Sequence, residues 1–204
     1  MSCTLIIGSN GSMGRRYQAI LRALKKPFVC FDVESDMDAV VKKAQYCDGI
    51  IIASPTDTHF NYLVNLQSLG KNILCEKPLT KSPTEMDYLK NGLGKTKLKM
   101  VMQYKILDTR AKCSPSHYDY FRTGNDGLYW DCIQIIGLAR GPVKINNESP
   151  VWRCGLNGRR LNISQMDHAY IKMVKDWFNH PDDDMGFLSD IHHKTREMSE
   201  NGSH

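Results

Sequence analysis

The chain has 204 residues, 41% of them hydrophobic and 24% charged, with a formal net charge of +5. That length exceeds one domain of about 150 residues, and the composition excludes a disordered chain. The longest strongly apolar stretches, Leu5–Ile7 and Ile50–Ala53, fall far short of the roughly 18 residues of a membrane span, so no membrane association is expected. The basic excess, 27 residues against 22, is mild and scattered rather than aligned in a stripe. It suits anionic small molecules better than nucleic acid. Seven cysteines stand at positions 3, 30, 47, 75, 113, 132 and 154, without a CxxC pair. An odd number without such pairs reads as reduced thiols. The first residues run straight into a strand-like segment, with no basic stretch ahead of an apolar core. A cytoplasmic protein is expected on both counts.

In chain order, Thr4–Ile7 reads as a buried strand ending at Gly8. Apolar or aromatic residues at Met13, Tyr17, Ile20, Leu21 and Leu24 have helical spacing, and Pro27 closes the turn. Phe28–Val33 is a second strand, Ala39–Ala44 a short helix, and Gly49–Ala53 a third, isoleucine-rich strand. Thr58–Leu69 reads as a helix stopped by Gly70, and Asn72–Cys75 as the next strand. Ser82, Pro83 and Glu85 supply an N-cap, a first-position proline and an acid for the following helix. Leu98–Tyr104 is a further strand. Continuously apolar strands alternating with helices imply an α/β fold with a Rossmann-like parallel sheet covered on both faces.

The second half reads differently. His117–Arg122, Val143–Asn147 and Pro150–Leu156 are strand candidates, and Gly127–Ala139 is a helix candidate. Asn157-Gly158 is a strong hairpin signal, with Arg159–Ile163 as the return strand. Ser164 and Asp167 form a capping box for a helix through about Phe178; Pro181–Asp184 breaks it, and a last helix spans Phe187–Met198. The expectation is a dinucleotide-binding domain over residues 1–104. A smaller, shortened α+β domain with an antiparallel sheet follows over residues 105–204.

Between the first strand and helix lies Gly8-Ser9-Asn10-Gly11-Ser12-Met13-Gly14, a GxxGxxG loop where the common dinucleotide fingerprint is GxGxxG. Small residues admit a pyrophosphate, and a helix N-terminus offers free N–H groups and a positive dipole end. Asp32 ends the second strand, 18 residues after Gly14. A carboxylate there accepts hydrogen bonds from ribose hydroxyls and repels the extra phosphate of NADP. The acids Glu34 and Asp36 follow without an arginine, so NAD is expected in preference to NADP.

Ser54-Pro55-Thr56 follows the third strand at the carboxyl edge, where open α/β sheets bind ligands. These residues, with Thr58, either cap the next helix or meet the cofactor. His59 lies in that helix's first turn, where the dipole lowers imidazole basicity. Glu76-Lys77-Pro78 follows the fourth strand. Lys77 at that place can hold an anion or exchange a proton with a substrate oxygen, and Glu76 can orient it or reach the cofactor. A plain surface salt pair at the turn is the alternative.

These segments resemble the N-terminal half of the Gfo/Idh/MocA oxidoreductases. The resemblance rests on Ile6–Arg16, on Ile51-Ile52-Ala53-Ser54-Pro55-Thr56-Asp57-Thr58-His59, and on Gly70–Thr80 with its Glu76-Lys77-Pro78. It implies a nicotinamide cofactor and a hydride exchanged with a sugar, polyol or related substrate. It also implies that Lys77 assists proton transfer near the nicotinamide, that Glu76 lines the cofactor site, and that Ser54, Pro55, Thr56 and His59 lie along the dinucleotide.

Gly127–Ala139 resembles the family helix that opens with an aspartate, here Asp131, and then carries a histidine and an aspartate three residues apart. This chain has Gln134 and Gly137 at that spacing, or Ile135 and Leu138 in a strict alignment from Asp131. Neither restores the pair. Glutamine binds a hydroxyl or carbonyl but exchanges no proton near neutral pH. Lys77 is then the family-matched acid–base candidate, with Asp131 and Gln134 beside it as catalytic candidates: Asp131 orients Lys77, binds substrate or caps the helix, and Gln134 binds a substrate hydroxyl or carbonyl. Tyr104, Tyr118, Tyr120, Tyr129 and His168 are secondary donors. No metal site is expected, because His192 and His193 are adjacent and His180 stands beside an acidic run. A homodimer is expected, since a small antiparallel sheet leaves a face to cover. The alternative to an enzyme is an inactive NAD(P)-binding sensor or interaction protein.

Overall fold

The computed structural model describes residues 3–33, 35–102, 118–121, 143–146 and 163–201. The chain divides into two compact units: Met1–Val101 with Val174–Ser189, and Met102–Met173 with Asp190–His204.

The first unit holds β1 (Thr4–Ile7), α1 (Ser12–Ala23), β2 (Phe28–Phe31), α2 (Met37–Gln45), β3 (Gly49–Ile52), α3 (Thr56–Leu66), β4 (Asn72–Cys75), α4 (Pro83–Gly92) and β5 (Lys97–Met100). The strands pair in the order β2-β1-β3-β4-β5, all parallel. Every residue of β1 and β3 is buried, as the continuous apolar runs TLII and GIII require at the centre of a sheet covered on both faces. The edges are less apolar. β2 is partly exposed, and β5 alternates Lys97 and Lys99 with the buried Leu98 and Met100. Chain order reverses between β1 and β3, which makes their carboxyl ends the switch point of the sheet.

Local chemistry sets the helix ends. Ser82 accepts a hydrogen bond from the Glu85 N–H and Glu85 accepts one from the Lys81 N–H, with Pro83 in the first turn, as the sequence predicts. Asp36, which the sequence reading treats only as an acid near the ribose, caps α2 through the Ala39 N–H and starts that helix at Met37. The expected helix to Leu69 tightens into a 3-10 turn at Gln67–Leu69 and stops at Gly70, whose φ is +63°.

The last two helices are α5 (Ile163–Asn179) and α6 (Met185–Asn201). Ser164, expected to precede this helix, is the second residue of α5. Asp184 caps α6 by accepting from the Gly186 and Phe187 N–H groups, placing its start two residues before the expected Phe187.

The segment 174–189 belongs to the first unit, although chain order places it in the second half. It seals the β5 edge. The Asp183 N–H donates to the Leu98 carbonyl at 2.9 Å, and the Met100 N–H donates to the Asp183 carboxylate at 3.0 Å. An edge strand otherwise leaves such groups unpaired. Lys99 donates to Asp176 at 2.8 Å and to the His180 carbonyl at 2.9 Å. Burial works to raise the Asp176 pKa, but the Lys99 and His180 partners outweigh it and hold the carboxyl below its usual range. Trp177 is fully buried, and its ring fills the space a Cβ at Gly49 would take, at 2.6 Å.

In the second unit, β6 (Tyr118–Phe121) and β7 (Val143–Asn146) pair in parallel. The antiparallel sheet expected for this half is not seen among the described residues, where this one pair is parallel. The 21 residues between the strands are long enough for the crossover that parallel strands need. The other strands expected for that sheet, at 150–162, and the helix expected at 127–139 lie outside the described residues, while Ile163, expected to end the return strand, is the first residue of α5.

Trp177→Ala is expected to destabilise the protein by about 3–5 kcal/mol in chemical denaturation, the range for a fully buried aromatic. Gly49→Ala is expected to cost about 1–3 kcal/mol by forcing the indole outward. Unchanged midpoints for both variants would show that segment 174–189 does not hold the first unit together.

Candidate functional site

The glycine loop begins where β1 ends. The Gly8 and Ser9 N–H groups donate to the Phe31 carbonyl at 3.0 and 3.2 Å, joining the loop to the end of β2. Gly8 has φ +80°, and a Cβ there would lie 2.6 Å from the Ser54 backbone. Gly14 packs its α-carbon face on the Gly8 carbonyl and the Ser9 backbone, leaving no room for a Cβ. Only glycine fits either position. Gly11 is different. A Cβ there would meet the Gly8 carbonyl oxygen at 3.4 Å and the Ala53 oxygen at 3.9 Å, and its φ of −67° suits any residue.

Gly11 is the N-cap of α1 and supplies no side-chain cap, and the first turn of α1 contains no acid. Asn10, Gly11 and Ser12 are exposed and Met13 is half-buried, whereas Ser9 is buried. Arg15 donates to the Asn10 carbonyl and Gln18 to the Ser9 carbonyl, which fixes the loop against its own helix. Uncapped first-turn N–H groups on a positive dipole end, with no competing carboxylate, suit an anion.

Asp32 stands half-buried just past β2. Its carboxylate accepts from the Val33 N–H at 3.0 Å, and its backbone exchanges hydrogen bonds with Ser35. Asp32 also contributes, after burial, to raising the Tyr62 pKa. Glu34 lies outside the described residues.

Past β3, Ser54 is buried and accepts from the Thr58 hydroxyl at 2.7 Å; the same hydroxyl lies 2.7 Å from the Pro55 carbonyl. The N-cap of α3 is Pro55, with no side-chain cap, so neither Thr56 nor Thr58 caps the helix through the expected bond. His59 is 1% exposed, and its two ring nitrogens lie 2.8 Å from backbone carbonyls, Nδ1 on Pro78 and Nε2 on Ser54. Burial lowers its pKa, and the two carbonyls and Asp57 oppose that without reversing it.

Past β4, Glu76 is buried. One carboxylate oxygen accepts from the Tyr17 hydroxyl at 2.7 Å and the other from the Lys77 N–H at 3.3 Å. Burial pushes the carboxyl pKa up; Tyr17, the Lys77 amide, and the Lys77 and Arg16 charges moderate the rise. Lys77 is half-buried and its peptide bond to Pro78 is cis. Cys75 is fully buried beside Glu76, and burial holds its thiol well above the usual pKa, so it is no nucleophile.

The structure therefore brings Gly8–Gly14, Asp32, Ser54–Thr56 and Glu76–Lys77 to the carboxyl edge of four adjacent strands. Asp131 and Gln134 lie outside the described residues, as do Tyr104 and Tyr129. His168 is exposed on α5. The sequence reading missed Tyr17 as part of this edge and counted it as helix core. Its signal was present: a tyrosine on a buried helical face needs a partner for its hydroxyl.

Residues 12–104 match the model of the Gfo/Idh/MocA oxidoreductase family, described as an NAD-binding Rossmann fold. No curated protein matches the chain at a significant level. Among solved structures, the dehydrogenase MviM from Clostridium difficile superposes with a TM-score of 0.72 at 11% identity, covering 98% of this chain and 99% of that one. The WlbA (WbpB) dehydrogenase from Thermus thermophilus, in complex with NAD and UDP-GlcNAcA, gives 0.64 at 14% identity, covering 96% and 94%. A putative myo-inositol dehydrogenase from Sinorhizobium meliloti gives 0.55 at 18% identity over 69% of this chain, which spans only 54% of that protein. At these identities the likeness establishes the fold, and it is the same fold that the matched segment names. Residues 12–104, a little under half of the chain, are similar to the NAD-binding Rossmann domain of the Gfo/Idh/MocA oxidoreductase family.

Proposed function

We propose that the chain is an NAD-dependent oxidoreductase acting on a CH–OH group of a sugar, polyol or nucleotide sugar. The observation that carries this reading is the meeting of a glycine loop, a β2-end carboxylate and the Glu76-Lys77 turn at one sheet edge. Gly11 adds to it. Packing within the protein accounts for Gly8 and Gly14, but it leaves room at Gly11, so close approach of a ligand is the remaining reason for glycine there.

The loop N–H groups from Gly11 into α1 would hold the pyrophosphate, with Ser9, Asn10, Ser12 and Met13 forming the wall around it. Asp32 would accept from the adenosine ribose. Ser54, Pro55, Thr56 and Glu76 would line the far half of the site. NAD supplies the hydride chemistry at its nicotinamide when bound. Lys77 binds the substrate oxygen, donates a proton to it in the direction of reduction, and takes one from it in oxidation. Glu76 holds the Lys77 backbone through the amide it accepts from. The nucleotide-sugar class is supported by the UDP-GlcNAcA complex of WlbA. Asp131 and Gln134 remain substrate-contact candidates, and a homodimer is proposed on the ground that a small sheet needs cover. A second reading, an NAD-binding sensor without turnover, is favoured by Gln134 and Gly137 standing where a proton-exchanging pair was expected.

Calorimetric titration tests the cofactor. NADH is expected to bind at least about tenfold more tightly than NADPH, equivalent to about 1.4 kcal/mol, and Asp32→Ala is expected to narrow that gap. Binding of neither would defeat the reading. Gly11→Ala is expected to shift stability by no more than about 1 kcal/mol and to weaken NADH severalfold or more. Gly14→Ala is expected to unfold the loop and lower Tm. Equal effects on folding would remove the argument from Gly11. In a screen of sugars, polyols and nucleotide sugars, Lys77→Met is expected to lower kcat by roughly 10²–10⁴, the usual weight of an acid–base group, while leaving NADH affinity nearly intact. Tight NADH binding with no turnover by the unmodified protein would favour the sensor.

A further inference from the structure

His59 has no assigned task beyond its place in a matched segment, yet its surroundings are specific. The ring is 1% exposed, so it has no open face for a cofactor. Nε2 lies 2.8 Å from the Ser54 carbonyl, at the turn past β3. Nδ1 lies 2.8 Å from the Pro78 carbonyl, in the turn that carries Lys77 past β4. Both partners are acceptors, so each bond requires an N–H on the ring. With burial lowering its pKa the ring is neutral near pH 7 and carries one N–H, so it donates to one of the two carbonyls while its other nitrogen lies in contact with the second. The Ser54 side is fixed further by the Thr58 hydroxyl on Ser54. The Lys77 side is fixed by Glu76, which holds the Lys77 N–H and is itself held by Tyr17 from the glycine-loop helix. One buried imidazole thus spans two turns that belong to different strands.

We propose that His59 is a positioning residue that braces the Ser54 turn against the Lys77–Pro78 turn and so sets where Lys77 stands at the cofactor edge. The inference rests on the proposed NAD site only for its consequence; the brace itself is a property of the chain. Its removal frees the Lys77 turn, because no other described side chain is shown joining the Ser54 and Pro78 carbonyls. The ring is buried between the two turns, so its effect reaches the site through Lys77.

The test compares wild type, His59→Phe and His59→Gln at a temperature well below the lowest Tm of the three. Phenylalanine keeps a ring and makes neither bond; glutamine has an amide that can reach one carbonyl. The first readout is the acetylation rate of Lys77 by acetic anhydride, followed by mass spectrometry without cofactor. His59→Phe is expected to change that rate at least threefold, with His59→Gln in between, and surface lysines such as Lys42 unchanged. The second readout is NADH affinity, expected to weaken about tenfold in His59→Phe. Folded His59→Phe with wild-type Lys77 reactivity would overturn the proposal, even at a lowered Tm, since a purely structural histidine would give that result. If the wild type fails to bind NADH, the cofactor reading falls while the Lys77 readout still judges the brace. If neither variant folds, the 15N signals of the wild-type ring decide: an exchange-protected N–H is expected, and a freely exchanging ring overturns the brace.

Discussion

The carboxyl edge of the sheet depends on one close backbone approach. Gly8 lies so near the Ala53–Ser54 backbone that a single added methyl group would force β1 and β3 apart at their ends. Those two strands form the switch point of the sheet, where successive connections leave in opposite directions and a crevice opens. The approach sets the width of that crevice. It also fixes the first turn of α1, because Gly14 must then pack directly on the Gly8 carbonyl.

From that contact the remaining parts follow by connection. Phe31 ties the loop to the end of β2 and so places Asp32 beside it. α1 delivers Tyr17 inward, and its hydroxyl reaches across to Glu76 at the end of β4. His59 returns from α3 to join the Ser54 and Pro78 turns. These groups are buried, and a buried polar atom without a partner costs about 1–3 kcal/mol. Each bond is therefore strongly held. The edge becomes a rigid frame, with Asn10 to Ser12 exposed at its surface. A site held to a fraction of an ångström needs supporting residues of this kind.

The opposite requirement, closing the sheet's open side, is met by the segment 174–189. Asp183 supplies both a donor and an acceptor to β5, and Trp177 fills the hollow over Gly49. The Trp177 indole N–H is itself buried without a hydrogen-bond partner among the described residues. The indole is kept there by its packing rather than by its polar atom. A glycine opposite a tryptophan is a volume match, and interiors packed to crystal-like density depend on such matches.

The sequence alone was enough for the repeating strand and helix pattern, for the glycine loop and for the Ser82 cap. Each of these is encoded over a few residues: apolar runs for buried strands, glycine where no Cβ fits, a hydroxyl three residues before an N–H. The same local rules missed Asp36 as a cap. They could not give the direction of the β6–β7 pair, because strand direction is decided by the connection and not by the strand. Tertiary structure alone decided that Tyr17 serves Glu76, that His59 spans two carbonyls, and that residues 174–189 return to the first unit. Apart from the His59–Ser54 contact, five positions apart, these join residues 19 or more positions apart, and no periodicity or short motif records them. They exist because the fold lays separate segments side by side, and burial then requires most of their polar groups to find partners there.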